Sequence, residues 1–390
     1  LAADVTIIGA GLAGLTCARE LVARGLLIDL IEASDRVGGR VRTDSCQGFL
    51  LDRGFQVLLT AYPECRKRLD YAALNLKPFY PGSMVWFGGK LHKIADPWRR
   101  PGDAIASLAS PVGSFADKLR VGSLRDSVRQ GSVESLFARP ETSTLEALRA
   151  RPFSPAIIER FFRPFLGGIF LERELRTSSR MFEFVFRMFS EGDAAIPAAG
   201  MEAISKQLGW GVPVRLNTRV ADLNSLDSRA VVVATEGTEA ARLLGTGAPK
   251  AWRRVKCFYF AADTAPLDDP ILVLDGEGTG PVNNFCVVSA VAPSYAPAGA
   301  SLLSASVLGD ATEEQVREQM TRWFGAQVRR WMHLRTYDIS YAQPDQTHIQ
   351  NRPSRIRKGL YVCGDHMENA SLNGAILSGK RAADAVMAEI

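Results

Sequence analysis

The sequence predicts an α/β fold in which a parallel-sheet domain, assembled from separated stretches of chain, carries an inserted domain of mixed sheet and helices. Three observations lead there. A β-branched run, Val5–Ile8, ends directly in Gly9-Ala10-Gly11-Leu12-Ala13-Gly14. A buried-type strand, Ala230–Thr235, lies in the middle of the chain. A third run, Gly359–Cys363, closes in Gly364-Asp365 and leads into a helical pattern. Strands feeding helices in this way build parallel sheets. At 390 residues the chain exceeds one small core and suits two to three domains' worth of structure.

The first element justifies itself locally. After the glycines, Leu15, Ala18, Leu21 and Val22 share one helical face, and Gly25 is a C-terminal stop. A second strand, Leu26–Ile31, leads to Glu32, 18 residues after Gly14. Strand, turn, helix, strand and acid in this order make a dinucleotide site on a Rossmann-like domain. Gly9 permits the tight turn, Gly11 lets backbone approach a pyrophosphate, and Gly14 lets the helix pack on the strand. Leu12 and Ala13 open the helix, whose free N–H groups attract phosphate. Glu32 would accept from ribose hydroxyls and repel a 2′-phosphate, which argues against NADP.

Composition narrows the class. Hydrophobic residues make up 46% and charged residues 23%, an ordinary globular balance. The net charge of +5 comes from scattered basic residues, and Arg352, Arg355, Arg357 and Lys358 read as a solvated loop, so no nucleic-acid partner is expected. Six cysteines without a CxxC and four histidines without a paired spacing predict no metal site and reduced thiols. No apolar stretch reaches the ~18–20 residues of a membrane span. The expected location is the cytoplasm, or the plastid stroma with a trimmed leader ahead of Leu1.

The stretch after Glu32, Ala33-Ser34-Asp35-Arg36-Val37-Gly38-Gly39-Arg40, followed by Thr43 and Asp52-Arg53-Gly54-Phe55-Gln56, resembles the flavin amine-oxidoreductase superfamily. That superfamily includes monoamine and polyamine oxidases, protoporphyrinogen oxidases and phytoene-type desaturases. The resemblance implies FAD as cofactor, with Arg40 against its diphosphate and Ala33, Ser34, Gly39, Gly54, Phe55 and Gln56 along its path. The C-terminal strand is similar to the superfamily's second flavin motif. It implies Gly364 and Asp365 at the ribityl or diphosphate region, and Asn373-Gly374-Ala375 as a turn that sets a helix N-terminus near the flavin pyrimidine edge. Val220, in the strand-like Val214–Val220, would contact the adenine through its backbone. Gly200-Met201-Glu202-Ala203-Ile204 resembles the family's Gly-rich helix start. No second GxGxxG follows a strand, so no separate NAD(P)H domain is expected. The FAD-binding domain then combines 1–75, 200–247 and 345–390, and the substrate domain combines 76–199 and 248–344.

The remaining chain is expected to shape the substrate. Residues 76–199 show amphipathic helical patterns broken by Pro and Gly, and Phe161–Phe189 holds eight of the nineteen phenylalanines. These rings read either as helical core or as the lining for a long apolar substrate, with contact to a membrane surface as a further reading. Four strands, Arg254–Phe260, Ile271–Leu274, Asn284–Val291 and Ser301–Val307, precede a helix that Thr312 opens with a capping box. In amine-oxidising relatives an aromatic cage tyrosine stands where this chain has Ser371. Lys256, on Val255–Phe260, resembles the lysine that holds a water near flavin N5 and is the catalytic candidate. Tyr341-Ala342-Gln343-Pro344 is similar to the Ala-x-Pro of protoporphyrinogen oxidases and desaturases. The expected function is FAD-dependent oxidation or desaturation of an isoprenoid, carotenoid or tetrapyrrole, with oxygen or a quinone as acceptor. The alternatives are an amine oxidase releasing an imine and hydrogen peroxide, and a flavin-binding protein without catalysis.

Overall fold

A computed structural model describes residues 3–103, 110–247, 251–350 and 352–390. One sheet has six strands in the order Val214–Arg215, Ile28–Ile31, Val5–Ile8, Ala230–Val233, Leu360–Val362 and Arg355–Arg357. The first five are parallel and the last is antiparallel. Val5–Ile8 sits near the centre, buried along its length, as a continuous β-branched run requires when both sheet faces are covered. The register sets Ile8 beside Ile31 and Val233, and Val233 beside Val362. Gly9, Glu32, Ala234 and Cys363 therefore follow their strands at one common edge. In open parallel sheets that carboxyl edge is where ligands bind.

Helix Leu12–Val22 and the C-terminal helix Leu372–Met387 cross closely over this sheet. A Cβ on Gly379 would lie 2.2 Å from the Ala13 carbonyl oxygen, so the crossing needs a glycine there. This contact joins the two ends of the chain.

The second sheet has seven strands in the order Met332–Pro344, Trp252–Ala262, Ser301–Val307, Val282–Val287, Leu272–Asp275, Gly82–Phe87 and Lys90–Ala95. Its two faces are unlike. Cys257 and Tyr259 join the large core shared with the Rossmann-like sheet, whereas Phe258 and Phe260 join a separate core under helix Glu313–Phe324. Thr312 caps that helix with the reciprocal Gln315 contact.

Four expectations need correction. Residues 76–199 do not begin helical: strands Leu76–Pro78, Gly82–Phe87 and Lys90–Ala95 come first, and the last two form a hairpin on Gly88 and Gly89, both at positive φ. A two-glycine turn is a hairpin signal, and the flanking residues lack a clean alternation to accompany it. Val214–Val220 gives only a two-residue edge strand, because Asn217 turns left-handed at φ 51°. Asn284–Val291 divides into strand Val282–Val287 and a short helix Val288–Val291. The last helix starts at Leu372, three residues before the periodicity suggests, because Ser371 caps it.

Candidate active site

A cavity of about 1300 Å³ runs from the carboxyl edge of the parallel sheet into the helical part of the insert. Small-molecule sites usually occupy ~300–1,000 Å³, so this one has room for an extended cofactor and a second molecule. Gly9, Gly11, Leu12, Ala13, Glu32, Ala33, Gly39, Arg40 and Val220 line one end. Gly54, Phe55, Gln56, Gly364, Asp365 and Ala375 also line the cavity.

The three N-terminal glycines separate by physical role. Gly9 has φ 105°, and a Cβ on Gly14 would lie 1.9 Å from the Gly9 oxygen, so both are required by the fold itself. Gly11 is different: a Cβ there would meet nothing within 4 Å, and its φ of −74° suits any residue. Gly11 itself lines the cavity, so its missing side chain leaves open space there. Helix Leu12–Val22 also starts without a side-chain cap, which leaves its first N–H groups for a ligand.

The Glu32 carboxylate is fixed by its neighbours. Its Oε2 accepts from the Ala10 N–H at 2.8 Å, and its Oε1 accepts from the Ser34 N–H at 2.9 Å and the Ser34 hydroxyl at 2.5 Å. A carboxylate offers about four acceptor positions, so one remains on Oε2 for a ribose hydroxyl. Arg40 and Asp365 form an ion pair at 2.6 Å, and Arg40 also donates to the Ala342 carbonyl at 2.8 Å. Motifs 325 residues apart thus meet in one polar pair inside the cavity. Gln56 donates from Nε2 to the carbonyls of Arg40 and Arg53, both at 2.9 Å, and fastens the two loops together.

Five expected site residues stand elsewhere. Gly14 and Ser34 support the turn and Glu32 rather than lining the cavity. Asn373 is buried and its Oδ1 accepts from the Glu64 N–H at 2.8 Å, so it caps a neighbouring helix. Gly374 is required by packing, since a Cβ would lie 2.1 Å from the Asn369 oxygen. Of that turn, Ala375 lines the cavity, together with Ser371 and Leu372 just before it. Lys256 does not reach the cavity. Val255 lines it, and alternation turns Lys256 to the opposite face. There its ammonium pairs with Asp310 at 2.7 Å and lies 3.6 Å from Asp338.

Sequence reasoning passed over several residues that the fold brings in. Tyr62 lines the cavity, stacks on Phe184 at 5.8 Å, and its hydroxyl hydrogen-bonds with the Ser371 side chain. An aromatic ring from another element thus stands beside the position that lacks one. Burial holds the Tyr62 hydroxyl protonated by raising its pKa. Asp52, at the end of strand Phe49–Asp52, is buried. It accepts from Thr43 Oγ1 at 2.5 Å, from the Met201 N–H at 2.9 Å and from the Tyr295 hydroxyl at 2.9 Å. Burial raises its carboxyl pKa to about 6, against the pull of those donors. Contacts that join residues hundreds of positions apart carry no local sequence signal. The phenylalanine segment divides between both readings: Phe162, Phe170, Phe182 and Phe184 are core, while Phe161, Phe165, Phe186 and Phe189 line the cavity. Among the described residues no cluster could hold a metal, and no helix is long and apolar enough to cross a membrane.

A Rossmann-like sheet with an uncapped helix, a carboxylate at the end of its second strand and a long cavity opening against a second sheet defines a dinucleotide-dependent oxidoreductase architecture. The family model described as flavin containing amine oxidoreductase matches residues 12–387. The chain belongs to that family, and its cofactor is FAD. Protoporphyrinogen oxidase 2 of Arabidopsis thaliana is 30% identical over 166 residues, covering 42% of this chain and 32% of that protein. Coproporphyrinogen III oxidase of Propionibacterium freudenreichii is 27% identical over 176 residues, covering 43% and 31%. The matched segments thus span about a third of these curated relatives. A solved oxidoreductase from Methanosarcina mazei superposes with a TM-score of 0.75 at 18% identity, covering 98% of this chain and 99% of that one. That likeness establishes the fold.

Proposed function

We propose that this chain removes a hydride from a C–H of a hydrophobic small molecule of isoprenoid, carotenoid or tetrapyrrole type. FAD, when bound, supplies the hydride acceptor. The chain's own task is to bind the substrate, hold it against the ring and exclude water. Glu32, the Leu12–Val22 helix start and the Arg40–Asp365 pair are the groups suited to hold the nucleotide.

The observation that carries the substrate reading is the helical wall of the cavity. Phe161 stacks on Phe165 at 5.3 Å, Phe165 meets Phe189 at 5.2 Å, and Val121, Ile157 and Phe186 continue the surface. Burying apolar area here is worth about 25 cal/mol per Å², which favours a long hydrocarbon or a flat macrocycle over a small polar amine. Ser371 points the same way, since its hydroxyl is committed as a helix cap, accepting from the Gly374 N–H at 2.9 Å.

A second reading, an amine oxidase, draws on the rings of Tyr62, Tyr337 and Tyr341, which line the cavity beside Phe55. Anaerobic mixing of the FAD-loaded protein with a substrate panel separates the two. Bleaching of the flavin should be faster with isoprenoid or porphyrinogen compounds than with benzylamine or spermine. Rapid bleaching by a simple amine overturns the proposal, and no bleaching by any compound favours a flavin-binding protein without catalysis. The acceptor, oxygen or a quinone, follows from which of the two reoxidises the bleached enzyme.

A further inference from the structure

We propose that the helical end of the cavity binds an acidic group, so that the substrate is an apolar molecule with an anionic head. This rests on the hydrophobic-substrate reading above and adds the polarity of one end.

Helix Phe115–Arg129 presents Lys118, Val121 and Arg125 to the cavity, spaced three and four apart and hence on one face. Both cations are half-buried. Arg125 has a guanidinium with five N–H donors. Among the described residues it makes one hydrogen bond, to the Ser190 carbonyl at 3.3 Å, and takes part in no ion pair. Its Nε is buried without a partner. The guanidinium carbon lies over the Trp98 ring, 4.6 Å from its centroid. A half-buried arginine that lies over an aromatic face and lacks a carboxylate partner is prepared for an anion from outside the chain.

Lys118 adds positive charge one turn earlier. Its ammonium donates to the Ser110 carbonyl at 3.1 Å, and burial lowers its pKa, with Asp117 acting the other way. Several of the acids around them have partners of their own. Asp117 accepts from Ser114 and Ser154 and pairs with Arg120, Asp193 pairs with Arg99, and Asp96 accepts from the Trp98 N–H. The apolar wall of Phe161, Phe165 and Phe189 lines the same cavity, so one ligand could occupy both.

The test measures binding to the FAD-loaded protein, by calorimetry and by the shift of the flavin absorbance, with laurate, dodecyl phosphate and dodecanol as probes of one chain length. At least one anionic probe should bind ten times or more tighter than dodecanol, and the better of the two assigns carboxylate or phosphate. Arg125→Gln should reduce that preference to under threefold while leaving dodecanol affinity and FAD content unchanged. Arg125→Lys should keep most of it. Lys118→Gln should lower it in part. Arg129→Gln, on the same helix but exposed and outside the cavity lining, should behave as wild type. Equal affinity for dodecanol and both anionic probes overturns the inference and leaves the apolar-substrate reading standing. So does an Arg125→Gln protein with full preference. Failure of all three probes to bind overturns both.

Discussion

Replacing Gly11 by alanine separates a glycine needed by the fold from one needed by the cofactor. In the structure the added methyl meets no protein atom within 4 Å, and the backbone angle already suits alanine. Apoprotein stability should therefore change little. Alanine loses roughly 0.4–1 kcal/mol less unfolded-chain entropy than glycine, and this offsets a comparable loss of helix N-cap preference. The net effect should stay within about 0.5 kcal/mol. Because Gly11 lines the cavity, the methyl is expected to take up space that a diphosphate laid against this turn would need. Overpacking of that kind costs roughly 1–3 kcal/mol, so FAD affinity should fall about five- to a hundredfold. Gly14→Ala is the contrast. Its methyl would sit 1.9 Å from the Gly9 oxygen, against backbone that cannot move away. It should destabilise the apoprotein itself, by about 3 kcal/mol at the upper end of the same range. Urea denaturation of both apoproteins and quenching of FAD fluorescence on reconstitution supply the two readouts. An unchanged FAD affinity in Gly11→Ala would refute the assignment of this turn to the cofactor. A stability loss in Gly11→Ala equal to that of Gly14→Ala would refute the division of roles.

Three further outcomes can be checked. Glu32→Gln removes the charge and one acceptor oxygen while keeping the shape, and should weaken FAD binding by about ten- to a hundredfold, given ~1.5–3 kcal/mol for a charge-assisted hydrogen bond; wild-type affinity would remove Glu32 from the site. Lys256→Met should leave the rate of anaerobic flavin reduction within twofold of wild type, because Lys256 does not line the cavity and its ammonium pairs with Asp310; a large loss in rate would return Lys256 to the chemistry. Asp52 sets a pH dependence of stability. Its folded pKa of about 6 lies above the usual 3.8, so the folded state holds the proton more tightly, and this group's contribution falls as pH rises from about 4 to about 6. The shift corresponds to on the order of 2–3 kcal/mol. Asp52→Asn should flatten that part of the stability profile measured by urea denaturation, and an unchanged slope would count against the buried carboxyl as its source.

How much of this was legible in the chain depends on the range of the interactions. Gly9, Gly11, Gly14 and Glu32 are readable because a tight turn, a helix start and a strand-end acid are set within about 25 consecutive residues, where steric limits on the backbone act directly. The Thr312 capping box is local for the same reason. Family resemblance extended that reading to Arg40 and Asp365. Which way a side chain faces, and what it meets, belongs to the tertiary structure. Lys256 is one residue from Val255, yet strand alternation sends one into the cavity and the other to Asp310. Neighbouring phenylalanines likewise divide, with Phe161 in the cavity wall and Phe162 in the core. The Arg40–Asp365 pair, the Asp52–Tyr295 contact and the open guanidinium of Arg125 all depend on segments far apart in sequence. Local propensity names the elements, and only packing decides which faces they bury and which groups are left to receive a ligand.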